Sequence, residues 1–346
     1  MKHKRTAQLL LAGAAAVVLA GCSTVGSTSG GSSSGDKNLK PSDMTMVTVV
    51  KVQGIPWFDR MNVGVKKFAK DTGVDARQDG GDDATPEKQV AIIQDLIAQK
   101  PTAITVVPNS PESLETVLGQ ARKQGIIVVS HEAAGLKNSD IDIEAFDNAA
   151  YGAGMMDDLA KCMGGSGKYV AFVGHLTAKT HMEWVAGALD EAKKKYPGVT
   201  RVEDPIESNE DENVAYQKAK EILAKYPDIK GFEGSAGTDV EGIARAVEEA
   251  GKADSTCVMG TSTPQASAKY LADGSIDKIF FWDPAQAGYA QLKIAELLAQ
   301  GQKITEGTDL GIDGYHSLKK EAGFDNVFVG DAAVVVDKSN VGDYDF

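Results

Sequence analysis

The two halves of the chain run through the same series of segments. In the first half "VTVVKVQGI" leads into "WFDRMNVGVKKFAKDTGV", and in the second "KYVAFVGHL" leads into "THMEWVAGALDEAKKKYPGV". "DLIAQKPTAITVVPNS" likewise has a counterpart in "EILAKYPDIKGFEGSA". Pro101 corresponds to Pro227 and Gly125 to Gly251, both pairs 126 residues apart. Solenoid repeats are far shorter, about 20–50 residues, so the pattern means two copies of one α/β half. Within a copy, "MVTVVKV", "TAITVVP" and "GIIVVS" are nearly continuous apolar runs, as expected of parallel strands covered on both faces. Between them Phe58, Met61, Val65 and Phe68 fall on one helical face, as do Val90, Ile93 and Ile97, and then Leu114, Val117 and Ala121. The expected fold is α/β: two doubly wound parallel-sheet lobes joined by a hinge. Residues 44–147 plus 284–325 are expected to form one lobe, and 148–283 plus 326–346 the other.

The segment before the repeat is of another kind. Lys2, Lys4 and Arg5 precede an apolar run from Leu9 to Ala20 that is too short to span a bilayer. The run ends in Leu19-Ala20-Gly21-Cys22, which resembles the bacterial lipobox, whose cysteine is acylated. A plain secretory signal is the alternative. Residues 1–21 then read as a lipoprotein signal peptide and the Ser/Gly-rich 22–43 as a tether. Cys22 is the expected lipidation site. The expected location is extracytoplasmic, with the body anchored by lipid to the cell membrane.

Removing residues 1–21 takes away three basic side chains and no acidic one, so the formal charge moves from −13 to −16. So acidic a body argues against nucleic acid and anionic lipid as partners and leaves small neutral ligands open. Two further cysteines, Cys162 and Cys257, are either a disulfide or two buried thiols. Catalytic motifs fail on inspection. "GGSGK" lacks the first glycine of a phosphate loop and precedes a strand, and there is no HExxH or GxSxG. No catalytic set, cofactor or metal is expected.

In open parallel sheets ligands bind beyond the carboxyl ends of the strands. Two facing lobes direct those ends into one cleft, at 51–58, 108–110, 130–132, 174–184, 234–239 and 261–263. Trp57 and Phe58 stand side by side where a strand turns into a helix, a position suited to covering something flat and partly apolar. Trp282, at the return crossing between lobes, is a second candidate. Trp184, one turn into its helix, is open to either core packing or contact. Lys51, His131, Glu132, His181 and Asp283 have the hydrogen-bonding groups to grip the polar edge of a small ligand. Asp283 before Pro284 also reads as a helix N-cap, and Lys51 as a surface lysine.

The lipobox, the twin lobes, the "PWF" helix start, "DN" at 147–148 and "WDPAQAG" at 282–288 together resemble the type I periplasmic sugar-binding proteins, receptor components of ABC importers. The resemblance covers about residues 46–346. Receptors for ribose, rhamnose and autoinducer-2 are nearest, with "MGTSTPQ", "IFFWD" and the final "DYDF" similar to the last. It implies a hinged clamp that closes on a monosaccharide or small polyol, a permease as membrane partner, and a monomer. Lys51 matches a lysine of the autoinducer-2 receptors, and His131-Glu132 and Thr180-His181 stand where those receptors carry carboxylates and amides. Ser235 and Gly237 enter as ligand contacts on the same resemblance. Three alternatives stay open: an autoinducer-2-type signal receptor, a sensor presenting its ligand to a chemoreceptor or kinase, and a divalent-metal receptor built from His131, His175 and His181 with Glu132 or Asp283.

Overall fold

The computed structural model describes residues 39–346. The signal peptide, Cys22 and the tether up to residue 38 lie outside the described residues. The rest forms two seven-stranded sheets, each built mainly from parallel strands.

The first sheet takes β1 (Thr45–Val50), β2 (Asp75–Gly80), β3 (Ala103–Val106), β4 (Ile127–His131) and β5 (Ile141–Glu144). The second takes β6 (Ser166–Val173), β7 (Gly198–Arg201), β8 (Ile206–Glu207), β9 (Ile229–Gly234), β10 (Cys257–Thr261) and β11 (Lys278–Phe281). Late in the chain β12 (Lys319–Lys320) and β13 (Val327–Val329) return to the first sheet, and β14 (Val334–Val336) to the second. The orders are β12-β13-β5-β4-β3-β1-β2 and β14-β11-β10-β9-β6-β7, with β8 also on β6. Among the described residues only the β12–β13 and β11–β14 pairings are antiparallel.

The helices are α1 (Pro56–Thr72), α2 (Pro86–Gln99), α3 (Pro111–Lys123), α4 (Asn148–Cys162), α5 (Lys179–Lys195), α6 (Glu212–Lys225), α7 (Asp239–Glu249), α8 (Pro264–Asp273) and α9 (Pro284–Ala299). Proline opens α1, α2, α3, α8 and α9. Its fixed φ suits the first helical position, where no N–H is needed, so the chain turns sharply out of a strand there. Alternation along β1 sends Val47 and Val49 into the core under α2 and α3, and Met46 into the core under α1 and α9.

The chain crosses between lobes after β5, after β11 and between β13 and β14. The first two crossings are built alike. Asp147 and Asp283 each cap the following helix, accepting from the N–H of Ala150 at 2.9 Å and of Ala285 at 2.8 Å. Each following helix packs closely on the first helix of its lobe. A Cβ on Gly64 of α1 would lie 1.8 Å from the Ala285 carbonyl oxygen, and one on Gly152 of α4 would lie 2.0 Å from that of Trp184. The last crossing differs from the sequence expectation, which put 326–346 in the second lobe. Val327–Val329 instead pair with β5 in the first sheet, so the chain leaves that lobe only after Val329. Cys162 and Cys257 form a disulfide that ties the end of α4 to the start of β10. Among the described residues no helix is long and apolar enough to cross a membrane.

Candidate functional site

The carboxyl ends of the two sheets face each other and the lobes touch across the gap. Thr177 Oγ1 of the second lobe donates to the Asn109 carbonyl of the first at 3.3 Å. A Cβ on Gly237 would meet the Trp57 ring at 3.2 Å, so this glycine lets the indole approach the opposite lobe closely. At the centre is Lys51, where β1 ends. Its Nζ donates to Glu132 Oε2 at 2.7 Å, lies 3.6 Å from Glu210 Oε1, and is 3.3 Å from His181 Nε2. All four side chains are buried. Lys51 and Glu132 belong to the first lobe, Glu210 and His181 to the second.

Burial works against the charged ammonium of Lys51, but Glu132 and Glu210 outweigh it and its pKa ends raised. Burial drives the His181 imidazole well below its ordinary value, assisted by the Lys51 charge, so the ring is neutral near pH 7. Burial raises the Glu210 carboxyl, with Lys51 opposing. Glu132 and Glu210 both sit in left-handed backbone, φ 59° and 57°. Such strain costs about 1–3 kcal/mol and collects at ligand clamps.

His181 carries the most informative geometry. Its Nδ1 accepts the Gly174 N–H at 3.1 Å, so a neutral ring holds its one hydrogen on Nε2. That Nε2–H points at the Lys51 ammonium, itself a pure donor. Two donors thus converge where an acceptor oxygen belongs. Other buried polar atoms near the gap also lack a hydrogen bond: Asn109 Oδ1, Thr180 Oγ1, Ser235 Oγ, Thr238 Oγ1 and Asp239 Oδ1, while Glu210 Oε1 has only its longer ion pair to Lys51. Unpaired buried groups are expensive unless a ligand or water completes them.

The aromatic residues gather beside this polar centre. Trp57 and Trp282 meet edge to face, with ring centroids 4.7 Å apart. Trp184 lies 5.6 Å from Trp282 and 5.1 Å from His181, and its Nε1 donates to Asn148 Oδ1. Phe58 is buried in the same apolar cluster, which runs from the core of the second lobe into the first.

Two expected contacts are committed elsewhere. His131 is bonded at both nitrogens: Nδ1–H donates to the Ile143 carbonyl and Nε2 accepts the indole N–H of Trp282 at 3.2 Å. Its role is to orient Trp282. Asp283 gives both oxygens to Arg60, at 2.8 and 2.7 Å, while capping α9. The N-cap reading holds for it, and both oxygens are engaged within the protein. With His131 occupied, the histidines do not assemble into a metal site. Among the described residues the one group of close metal-type donors is Cys162, Cys257 and Asp277, whose cysteines are bonded to each other.

Sequence reasoning missed Glu210 and Asn109. Asn109 stood within an expected strand end, and its Nδ2 donates to the Lys51 carbonyl at 3.0 Å. Glu210 follows β8, a two-residue strand with no periodicity to reveal it.

Residues 46–303 match the family described as periplasmic binding protein domain. Among curated relatives, the D-allose-binding periplasmic protein of Escherichia coli K12 is 27% identical over 257 residues, 71% of this chain and 81% of that protein. The ribose import binding protein RbsB of Salmonella typhimurium is 22% identical over 265 residues, covering 75% and 86%. Among solved structures, LsrB from Clostridium saccharobutylicum in complex with AI-2 superposes with a TM-score of 0.81 at 21% identity, covering 88% of this chain and all of that one. A solute-binding protein from Clostridium phytofermentas with bound L-rhamnose gives 0.80 at 22%, covering 87% and 98%. These superpositions show a shared fold of two α/β lobes.

Proposed function

We propose a function from the premise that this chain belongs to the periplasmic binding protein domain family: it is the sugar-binding receptor of an ABC importer, not an enzyme. Its ligand is an uncharged monosaccharide or small polyol, held between the lobes and passed to a permease. The observation that carries this reading is the meeting of Lys51 Nζ and His181 Nε2–H, two donors 3.3 Å apart. A hydroxyl, ring or carbonyl oxygen placed between them accepts from both. Glu132, Glu210 and Ser235 then take up hydroxyl hydrogens around the edge. Trp57 lies on the wall of the gap, and Trp282 behind it.

Charge sets the class. Lys51 is one cation beside the carboxyl groups of Glu132 and Glu210, with Asp239 close to Glu210. A phosphorylated or carboxylated sugar would add a negative charge to that group, whereas neutral hydroxyls satisfy it. The ligand acts by binding the closed arrangement more tightly than the open one. On the same reading, Cys22 carries the lipid that holds the receptor at the membrane.

A thermal-shift screen tests this with D-allose, D-ribose, L-rhamnose, AI-2 and their neighbours, set against divalent metals. A tight ligand raises the melting temperature by mass action. A rise with a neutral sugar is expected. A rise with metals alone would reject the reading. Metabolic labelling with a fatty acid, lost in Cys22→Ser, tests the anchor.

A further inference from the structure

We infer that Arg60 and Phe346 form an inter-lobe latch that holds the receptor closed without touching its ligand. The inference rests on the proposed clamp function. Arg60 lies on α1 of the first lobe, one helical turn beyond Trp57. Its guanidinium bonds both oxygens of Asp283, the residue at the return crossing. The same guanidinium lies over the Phe346 ring, 3.6 Å from its centroid.

Phe346 belongs to the second lobe. Its carbonyl accepts the Gln265 N–H at 2.8 Å, at the start of α8. Its ring packs edge-on against Phe281, next to β14, and against Tyr344. One arginine thus joins a first-lobe helix, the crossing segment and the second-lobe tail. Asp283 lies in the crossing itself and can follow either lobe. The Arg60–Phe346 stack has one member on each lobe, so any separation of the lobes at this point works against it. Planar cation–π stacking combined with a two-pronged carboxylate bond is specific to arginine.

The repeat shows that the scaffold does not require this device. Arg60 precedes Gly64 by four residues, and Glu183 precedes Gly187, its counterpart, by four. Glu183 accepts from Asn148 and Lys179 beside an acidic cavity, and among the described residues no arginine bonds Asp147. The latch therefore exists at one crossing only. It places closing energy behind the Trp57–Trp282 contact, because Arg60 shares a helix with one tryptophan and Asp283 adjoins the other.

The test uses Arg60→Gln, Phe346→Leu, Phe346→Tyr and the Arg60→Gln/Phe346→Leu pair in the intact protein. Stopped-flow measurements with the sugar found in the screen are expected to show release roughly tenfold faster for Gln and Leu. Association should stay within twofold, and the double variant should be no worse than the worse single one. Phe346→Tyr keeps the ring and should behave as wild type. A merely structural role would lower the ligand-free melting temperature and leave release rates alone, which overturns the latch. Spin labels on the two lobes give a second readout with no sugar present. Arg60→Gln and Phe346→Leu should shift the distance distribution outward. If no sugar binds the wild type, the clamp reading fails by itself, and unchanged distances would then reject the latch.

Discussion

Lys51→Met is the perturbation whose outcome the geometry fixes most tightly. In the closed protein the ammonium lies 2.7 Å from Glu132 and 3.6 Å from Glu210, with each of the three side chains 4% exposed. Removing one partner of a buried ion pair costs about 3–5 kcal/mol, because the remaining charge has neither water nor counter-ion. At about 1.4 kcal/mol per tenfold, sugar affinity should fall by roughly 150- to 4,000-fold. The open form behaves differently. There water reaches Glu132, and Glu210 moves away with the second lobe, so the ligand-free melting temperature should change far less than the affinity. Without the lysine the buried Glu210 carboxyl, already raised by burial, binds a proton more readily, so residual affinity should rise as pH falls from 8 to 5. Calorimetric titration across that range reads both effects. An affinity within threefold of wild type, with no pH trend, would refute the claim that Lys51 organises the site.

Other outcomes follow from the same coordinates. Gly237→Val puts branched carbons where a Cβ alone already meets the Trp57 ring at 3.2 Å, so it should weaken sugar binding by roughly tenfold or more while leaving the ligand-free fold intact; unchanged affinity in calorimetry would remove the Trp57–Gly237 contact from closure. Glu233 is fully buried with neither carboxylate oxygen paired, and burial pushes its pKa from 4.5 up to about 8. Below pH 4.5 it is protonated in both folded and unfolded chains; between 4.5 and 8 only the unfolded chain releases the proton, so stability falls by about 1.4 kcal/mol per pH unit and levels off above 8. Urea unfolding at pH 5 and pH 8 should show Glu233→Gln flattening that slope, and an unchanged slope counts against the assignment. Replacing Cys162 and Cys257 by Ser frees a 95-residue separation and should lower stability by about 2–4 kcal/mol, seen as a lower melting temperature.

The parts of the fold legible in sequence are those encoded locally. Apolar runs marked β1, β3 and β4, helical faces marked α1 to α3, and the repeat carried both patterns into the second half. The short strands β8 and β12 to β14 have two or three residues each, too few for any periodicity to show. That is why the last crossing was placed early and Glu210 was overlooked. Lys51 was marked by its place at an expected strand end and by the family resemblance, and its burial between two carboxyls was not legible. Nor were the fates of Asp283 and His131, because each depends on a distant partner: Arg60 lies 223 positions from Asp283, and Trp282 lies 151 from His131. Both residue types suit a sugar site, and only the tertiary contacts show that they instead hold the crossing and a tryptophan. Sequence could place Trp57 at the gap but not foresee that it would meet Trp282 edge to face.

The most direct measurement pairs each neutral monosaccharide with its phosphate ester in calorimetric titrations of the wild-type protein. One-to-one binding of a neutral sugar, with its phosphate bound at least a hundredfold more weakly, is the predicted result, since a single lysine already serves two carboxyls. Tighter binding of the phosphate, or no heat from any sugar in the series, would contradict it.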